Sequence, residues 1–192
     1  LIELLQQCGG LSPAEVAERV EKAVMHASMG RLRDDMAVLA LGPLAWVLLR
    51  HRQQAPARRL HALTLLTLFL TFDLVVFGAF TRLTDSGLGC PDWPGCYGSV
   101  SPVGALDEIR AAQTAQPSGP VTLPKAWIEM IHRYLATAVG VLMLVMTLFA
   151  WSVRKHVKSL SPWWPTFTLT WVIAQGAFGA LTVTMKLYPA IV

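Results

Sequence analysis

The chain has 192 residues, enough for one soluble domain, but 54% of them are hydrophobic and only 15% are charged, which indicates a membrane protein. The formal net charge of +4 does not indicate nucleic-acid binding. The basic residues fall in short clusters between apolar runs, where they set the orientation of membrane helices.

The first segment, residues 1–40, reads as a soluble amphipathic helix. Ser12-Pro13-Ala14-Glu15 has the pattern of a helix-capping box with proline at the first helical position. The stretch RLRDDMAVLAL that follows resembles the C-terminal end of metal-dependent serine/threonine phosphatases, and this resemblance implies that Asp34 is a metal ligand. The other ligands of that site are not in the sequence, so we expect no phosphatase activity and a segment foreign to the rest of the chain. A solvated tail is the alternative interpretation.

Three later apolar runs, residues 60–80, 126–151 and 164–186, are long enough to cross a bilayer. They predict an all-α membrane protein, a transmembrane helix bundle with three clear spans. A shorter run at 36–49 leaves open one short extra span. The remaining segments are predicted to be a short apolar run with a basic cytoplasmic loop at 41–59, an extracytoplasmic loop at 81–125, a cytoplasmic loop at 152–163, and the start of an outer loop at 187–192.

The orientation follows from lysine and arginine in the short loops. Arginines precede the first span, and Arg154, Lys155 and Lys158 follow the second, so both of these loops should be cytoplasmic. The loop 81–125 lacks a basic excess and should face outward. We therefore expect a multi-pass protein of the cell inner (plasma) membrane.

Two of the three cysteines, Cys90 and Cys96, lie in the outward loop. A disulfide between them is reasonable on the oxidising side of the membrane. The sequence leaves open whether this pair is a structural staple or is redox-active. Cys8 is expected to be an unpaired thiol without a role.

Ionisable residues occur near the outer end of the second span. Glu129 and His132 are three residues apart and share one helix face. A histidine at this depth is a candidate axial ligand for haem iron, and a neighbouring carboxylate can exchange protons with a substrate held there. The alternative is a hydrogen-bonded packing histidine. Arg82 and Arg133 carry donors suited to haem propionates, or they extend to lipid phosphate.

Three stretches, GAFTRLTDSGLGCPDWPGCYG, KAWIEMIHRYLA and QGAFGALTVTMKLYPAIV, resemble the haem A synthases in the same order and spacing. The resemblance covers residues 41–192 and implies the N-terminal, four-helix half of an eight-helix protein. It implies oxidation of a ring methyl of haem O to the formyl group of haem A, with water supplying the oxygen, and a b-type haem in the other half. His132 would be an axial iron ligand, Glu129 the catalytic carboxylate, and Cys90 and Cys96 the loop disulfide.

The resemblance also implies partners: haem O, the haem O synthase, cytochrome oxidase assembly factors, the lipid bilayer and further copies of the protein. The second axial histidine is expected beyond Val192, and the chain starts at Leu1. We therefore expect a fragment that is inactive alone. Two other functions stay open: a membrane thiol–disulfide carrier using the cysteine pair, and a haem-binding electron-transfer protein. Glu129 argues against the last, because a simple electron carrier does not need this carboxylate.

Overall fold

The computed structural model describes residues 54–155 and 161–185. The amphipathic segment 1–40, Asp34, Cys8 and the short apolar run at 36–49 lie outside the described residues. The predictions made for them are therefore left as predictions.

The described part of the chain is helical. Its four α-helices are α1 (Pro56–Leu83), α2 (Leu106–Ala115), α3 (Leu123–Val153) and α4 (Trp163–Thr184), and a 3₁₀ turn, Pro102–Ala105, leads into α2. No strand occurs within these residues. The helices α1, α3 and α4 are long and apolar enough to cross a membrane, which confirms the predicted three-span helical fold. Each of α1 and α3 begins and ends beyond its predicted apolar run.

Proline and capping residues set where the long helices begin. Pro56 stands in the first turn of α1, and α3 begins after Thr122, whose hydroxyl accepts a hydrogen bond from the Lys125 amide. Proline suits the first turn of a helix because the amide hydrogen that it lacks would have no partner there. Pro56 in α1 and Pro124 in α3 thus allow both helices to start in polar sequence, outside the apolar run.

The central helix is α3, since both α1 and α4 pack against it. Leu63 of α1 is buried against Leu142 of α3, and Leu60 against Met146 and Ala150. The pairing places the start of α1 beside the end of α3, so the two helices are antiparallel. The far face of α1 exposes large apolar side chains: Leu65, Leu68, Phe69, Phe72, Val75 and Val76. This is the surface expected to face lipid.

Aromatic and basic side chains mark the end of the bundle where α3 meets α4. The Trp151 indole stacks edge-on against Trp163, with ring centroids 5.6 Å apart, and its N–H donates to the Thr166 hydroxyl at 2.9 Å. The guanidinium groups of Arg59 and Arg154 lie over aromatic rings of α3. Tryptophan and arginine at one end are typical of a membrane interface. That this end faces the cytoplasm stays the prediction made from the basic loops.

At the opposite end, the loop between α1 and α3 has a small core of its own. Cys90, Cys96, Ala105, Ile109, Ala126 and Met130 are buried together. Ile109 is the buried residue of α2, so this short helix covers the cysteine pair and the first turns of α3. The loop is therefore a packed structure that lies against α3.

Candidate functional site

The turn that ends α1 accounts for the polar motif following Arg82. The Ser86 amide donates to the Thr81 carbonyl at 2.9 Å, and the Asp85 amide donates to the Arg82 carbonyl at 3.1 Å. This pair of bonds is the Schellman arrangement that ends many helices, and it needs one residue with positive φ. Asp85 takes that position with φ of 51°, a conformation that aspartate tolerates better than most residues. The polar residues that follow Arg82 are thus explained in large part by the turn that ends α1.

A short ring follows this turn. The structure joins Cys90 and Cys96 in a disulfide, with 4.9 Å between the two Cα atoms, and both residues are fully buried. The Asp92 carboxylate, in the ring, accepts hydrogen bonds from the amides of Tyr97 and Gly98, just after the ring, at 2.6 and 2.7 Å. The structure therefore brings the two predicted cysteines together, and Asp92 ties the ring to the residues that follow it.

The ring is anchored to α3 by a buried ion pair. Glu129 pairs with Arg133 one turn later, and their side chains are only 5% and 11% exposed. The second carboxylate oxygen of Glu129 accepts the Cys90 amide at 2.7 Å. The Arg133 guanidinium also donates to the carbonyls of Asp92, at 2.8 Å, and Gly95. A buried carboxylate is stable only when it is paired and hydrogen-bonded in this way.

His132 lies between these two residues in sequence and packs against α1. A Cβ atom added to Gly78 of α1 would lie 2.9 Å from the imidazole Cε1, so the ring occupies the space left by the missing side chain. The imidazole Nδ1 is buried and makes no hydrogen bond with any residue in the described ranges. A buried ring nitrogen without a partner is unusual in a packing histidine. It fits a residue that binds a ligand.

The donor set around His132 suits haem iron better than a bare metal ion. Within residues 54–155 and 161–185, no three side chains among histidine, cysteine, aspartate and glutamate cluster as a metal site requires. Haem iron needs only one or two protein ligands, because the macrocycle supplies the others. A single imidazole can meet that demand, and the role of His132 as an axial ligand stays a prediction.

The other predicted residues are placed as follows. Arg82 lies in the last turn of α1 and is exposed; it follows Gly78 by one helical turn, which puts it on the side of α1 nearer to His132. Asp73 lies deeper in α1 and is half-buried. The guanidinium of Arg133 is engaged by Glu129 and by the ring carbonyls. Whether Arg82 and Arg133 also bind propionates stays a prediction.

Sequence reasoning missed three residues that shape this site: Gly78, Gly89 and Asp92. A Cβ atom at Gly89 would lie 2.4 Å from the Lys125 carbonyl carbon, so only glycine allows the loop to approach the start of α3 so closely. The spacing of Glu129 and Arg133 did contain a signal for their ion pair, because residues four apart on a helix face each other. Gly78 gave no local signal, since its role depends on a contact between two helices.

The fold and this site define a multi-pass helical membrane protein, with a disulfide-closed loop that binds a glutamate of its central helix one turn from a histidine. Comparison with known families assigns it more closely. Residues 61–192 match the family COX15-CtaA, described as cytochrome oxidase assembly protein. Because this match covers more than half of the sequence, the chain belongs to that family.

Similar proteins are named heme A synthase. The one from Shewanella oneidensis is 42% identical over 127 residues, which cover 66% of this chain and 37% of that protein. Those from Allorhizobium ampelinum and Bacillus licheniformis are 30% and 26% identical, each covering 66% of this chain and 36% of the relative. The chain thus spans little more than a third of the length of these relatives. No solved structure matches it.

Proposed function

We propose that this chain forms the haem O-oxidising part of a haem A synthase. The observation that carries the proposal is the half-buried imidazole of His132, which lies against Gly78 with its Nδ1 buried and unpartnered within the described residues, one helical turn from the buried carboxylate of Glu129. A ligand for iron and a group able to move protons therefore stand side by side at one end of the bundle. The names of the similar proteins support the same reaction.

In this proposal His132 holds the iron of haem O, and Arg82, with its exposed guanidinium near the same end of α1, pairs with a propionate. The bound haem would supply the redox chemistry at this site. Oxidation of its methyl group to a formyl group, with water as the source of oxygen, removes electrons that an external electron acceptor would have to take up. Such an oxidation releases protons. In the proposal Glu129 accepts one of them, because its buried carboxylate lies one helical turn before His132 and is held in place by the Cys90 amide and by Arg133.

The proposed setting is the cell inner (plasma) membrane, with residues 81–125 outside and residues 152–163 in the cytoplasm. Haem O arrives from its synthase, and haem A leaves towards cytochrome oxidase assembly factors. The Cys90–Cys96 disulfide holds the outer loop on the site. This topology is supported by the positions of the cysteine pair and of Arg59 and Arg154, which lie at opposite ends of the helices.

The proposal is tested by haem extraction with mass detection. The full-length product of the gene that encodes this chain (below, the encoded protein) is produced in membranes of a host that makes haem O but no haem A, and the extracted haems are identified. Haem A should appear in these membranes and be lost in His132→Ala. His61→Ala is the matched control, since His61 is exposed on the first turns of α1. Haem b alone in the purified protein would support an electron-transfer protein, and a protein without any haem would support a thiol–disulfide carrier.

A further inference from the structure

Arg133 makes more contacts with the outer loop than any haem-binding role requires. Its guanidinium pairs with Glu129 and donates to the carbonyls of Asp92, Pro94 and Gly95, at 2.8 Å for Asp92 and 3.3 Å for Pro94. All three carbonyls belong to the ring closed by Cys90 and Cys96. One cation therefore binds both the ring and the carboxylate.

The second contact between ring and carboxylate does not involve Arg133. The Cys90 amide, at the first residue of the ring, donates to Glu129 at 2.7 Å. The Glu129 carboxylate thus has two partners: the Cys90 amide of the ring, and the Arg133 guanidinium, which also donates to carbonyls of the ring. With the Glu129 side chain only 5% exposed, water cannot replace either partner without opening the loop.

We propose that Arg133 is a positioning residue, which locks the Cys90–Cys96 ring onto the carboxylate of Glu129 so that the ring and the carboxylate are held as one unit. The proposal rests on the proposed function only for the role that Glu129 has in the reaction. The lock is a property of the loop and α3 and does not depend on which haem is bound. Lysine cannot fully replace Arg133 in this role, because a single ammonium group cannot reproduce the planar fork of donors of a guanidinium.

The lock has a measurable consequence for the disulfide. The closed ring presents its carbonyls together to one guanidinium, whereas the reduced segment is free to relax. Arg133 therefore favours the oxidised ring, and coupling of this kind is reciprocal. A hydrogen bond to a charged group contributes roughly enough to change an equilibrium tenfold or more. Without Arg133, the thiol–disulfide equilibrium should shift about tenfold towards the reduced form.

The test measures the thiol–disulfide equilibrium of Cys90 and Cys96 in the encoded protein, in a Cys8→Ser background. Membranes are equilibrated with mixtures of reduced and oxidised dithiothreitol. The reduced fraction of the two cysteines is then measured by alkylation and gel shift. Arg133→Gln should be half-reduced at a ratio of reduced to oxidised dithiothreitol about tenfold lower than the parent protein. Arg133→Lys should fall between them. Arg110→Gln, an exposed arginine on α2 in the same loop, should match the parent. An unchanged ratio in Arg133→Gln would overturn the lock.

If Arg133→Gln does not accumulate in membranes, the thiol–disulfide equilibrium of Arg133→Lys tests the proposal instead. A shift towards easier reduction supports the lock, and an equilibrium equal to that of Arg110→Gln overturns it. The measurement involves no haem, so it stands whatever the extracted haems show. A parent protein that makes no haem A, together with a shifted disulfide equilibrium in Arg133→Gln, would refute the proposed function and leave the lock in place.

Discussion

The contact between Gly78 and His132 allows a sharp test, because two glycines in the membrane helices differ in what a methyl group would meet. In Gly78→Ala the new Cβ atom would lie 2.9 Å from the imidazole Cε1, whereas nothing lies within 4 Å of the corresponding position at Gly140 in the described chain. Ordinary contacts begin near 3.4 Å. The imidazole or α1 must therefore move by about 0.5 Å, the difference between these two distances.

The magnitude follows from two opposing effects. Overpacking of this kind costs about 1–3 kcal/mol, while replacing a helical glycine by alanine gains about 0.5–1 kcal/mol. Gly140→Ala should show only the stabilisation from replacing glycine. The difference in free energy between the two variants therefore gives the cost of the contact with His132. If that cost falls on the orientation of the iron ligand, haem binding should weaken roughly fivefold to a hundredfold.

The assay is a haem titration of each purified variant, followed by absorbance, with haem per protein measured after extraction. Gly78→Ala should retain less haem than Gly140→Ala at equal expression, and thermal unfolding of the haem-free proteins shows whether part of the cost goes into the fold instead. Equal haem affinity in the two variants, together with equal thermal stability of the haem-free proteins, would refute the proposed position of the imidazole as an iron ligand.

Two further predictions concern the outer loop. Gly89→Ala should destabilise the packed loop by about 2 kcal/mol or more, because its Cβ atom would meet rigid backbone at 2.4 Å. Limited proteolysis should cleave this loop earlier in Gly89→Ala than in Gly87→Ala, because nothing lies within 4 Å of a Cβ atom at Gly87. Equal cleavage of the two variants would contradict the close approach at Gly89. In intact cells, a membrane-impermeant thiol reagent should label Cys90 and Cys96 only after reduction. Labelling without reductant would count against the disulfide, and labelling that needs permeabilised cells would count against the topology.

The three membrane helices could be predicted because apolar runs of spanning length leave few alternatives. Their ends could not be set as well, since α1 and α3 continue into polar sequence where Pro56 and Thr122 start them. The helix α2 was missed inside a segment predicted only as a loop. Its sequence did hold a signal, the acidic pair Asp107 and Glu108 in the first turn, which favours a helix start.

The sequence allowed candidate site residues to be named, but not their contacts. Glu129 and His132 were found because ionisable groups are rare in a membrane helix. The bond from the Cys90 amide to Glu129 joins residues 39 apart in sequence, and no local pattern reports such a contact. The same holds for Gly78, whose importance is visible only when α1 lies against α3.

The claim that Glu129 acts in the chemical step is tested most directly by Glu129→Gln in the encoded protein. Glutamine keeps the shape and the acceptor for the Cys90 amide, but it cannot take up a proton as a carboxylate does. The exposed Glu108→Gln on α2 is the control. The measurement is the ratio of haem O to haem A, alongside total haem per protein, in each purified variant.

The proposed mechanism predicts that Glu129→Gln keeps its haem but contains haem O almost without haem A. His132→Ala should contain less haem per protein, because it lacks an axial iron ligand, and Glu108→Gln should match the parent protein. A normal proportion of haem A in Glu129→Gln would contradict the mechanism by removing this carboxylate from the reaction. Loss of all haem from Glu129→Gln would contradict it as well, because the buried ion pair would then serve only to hold the site together.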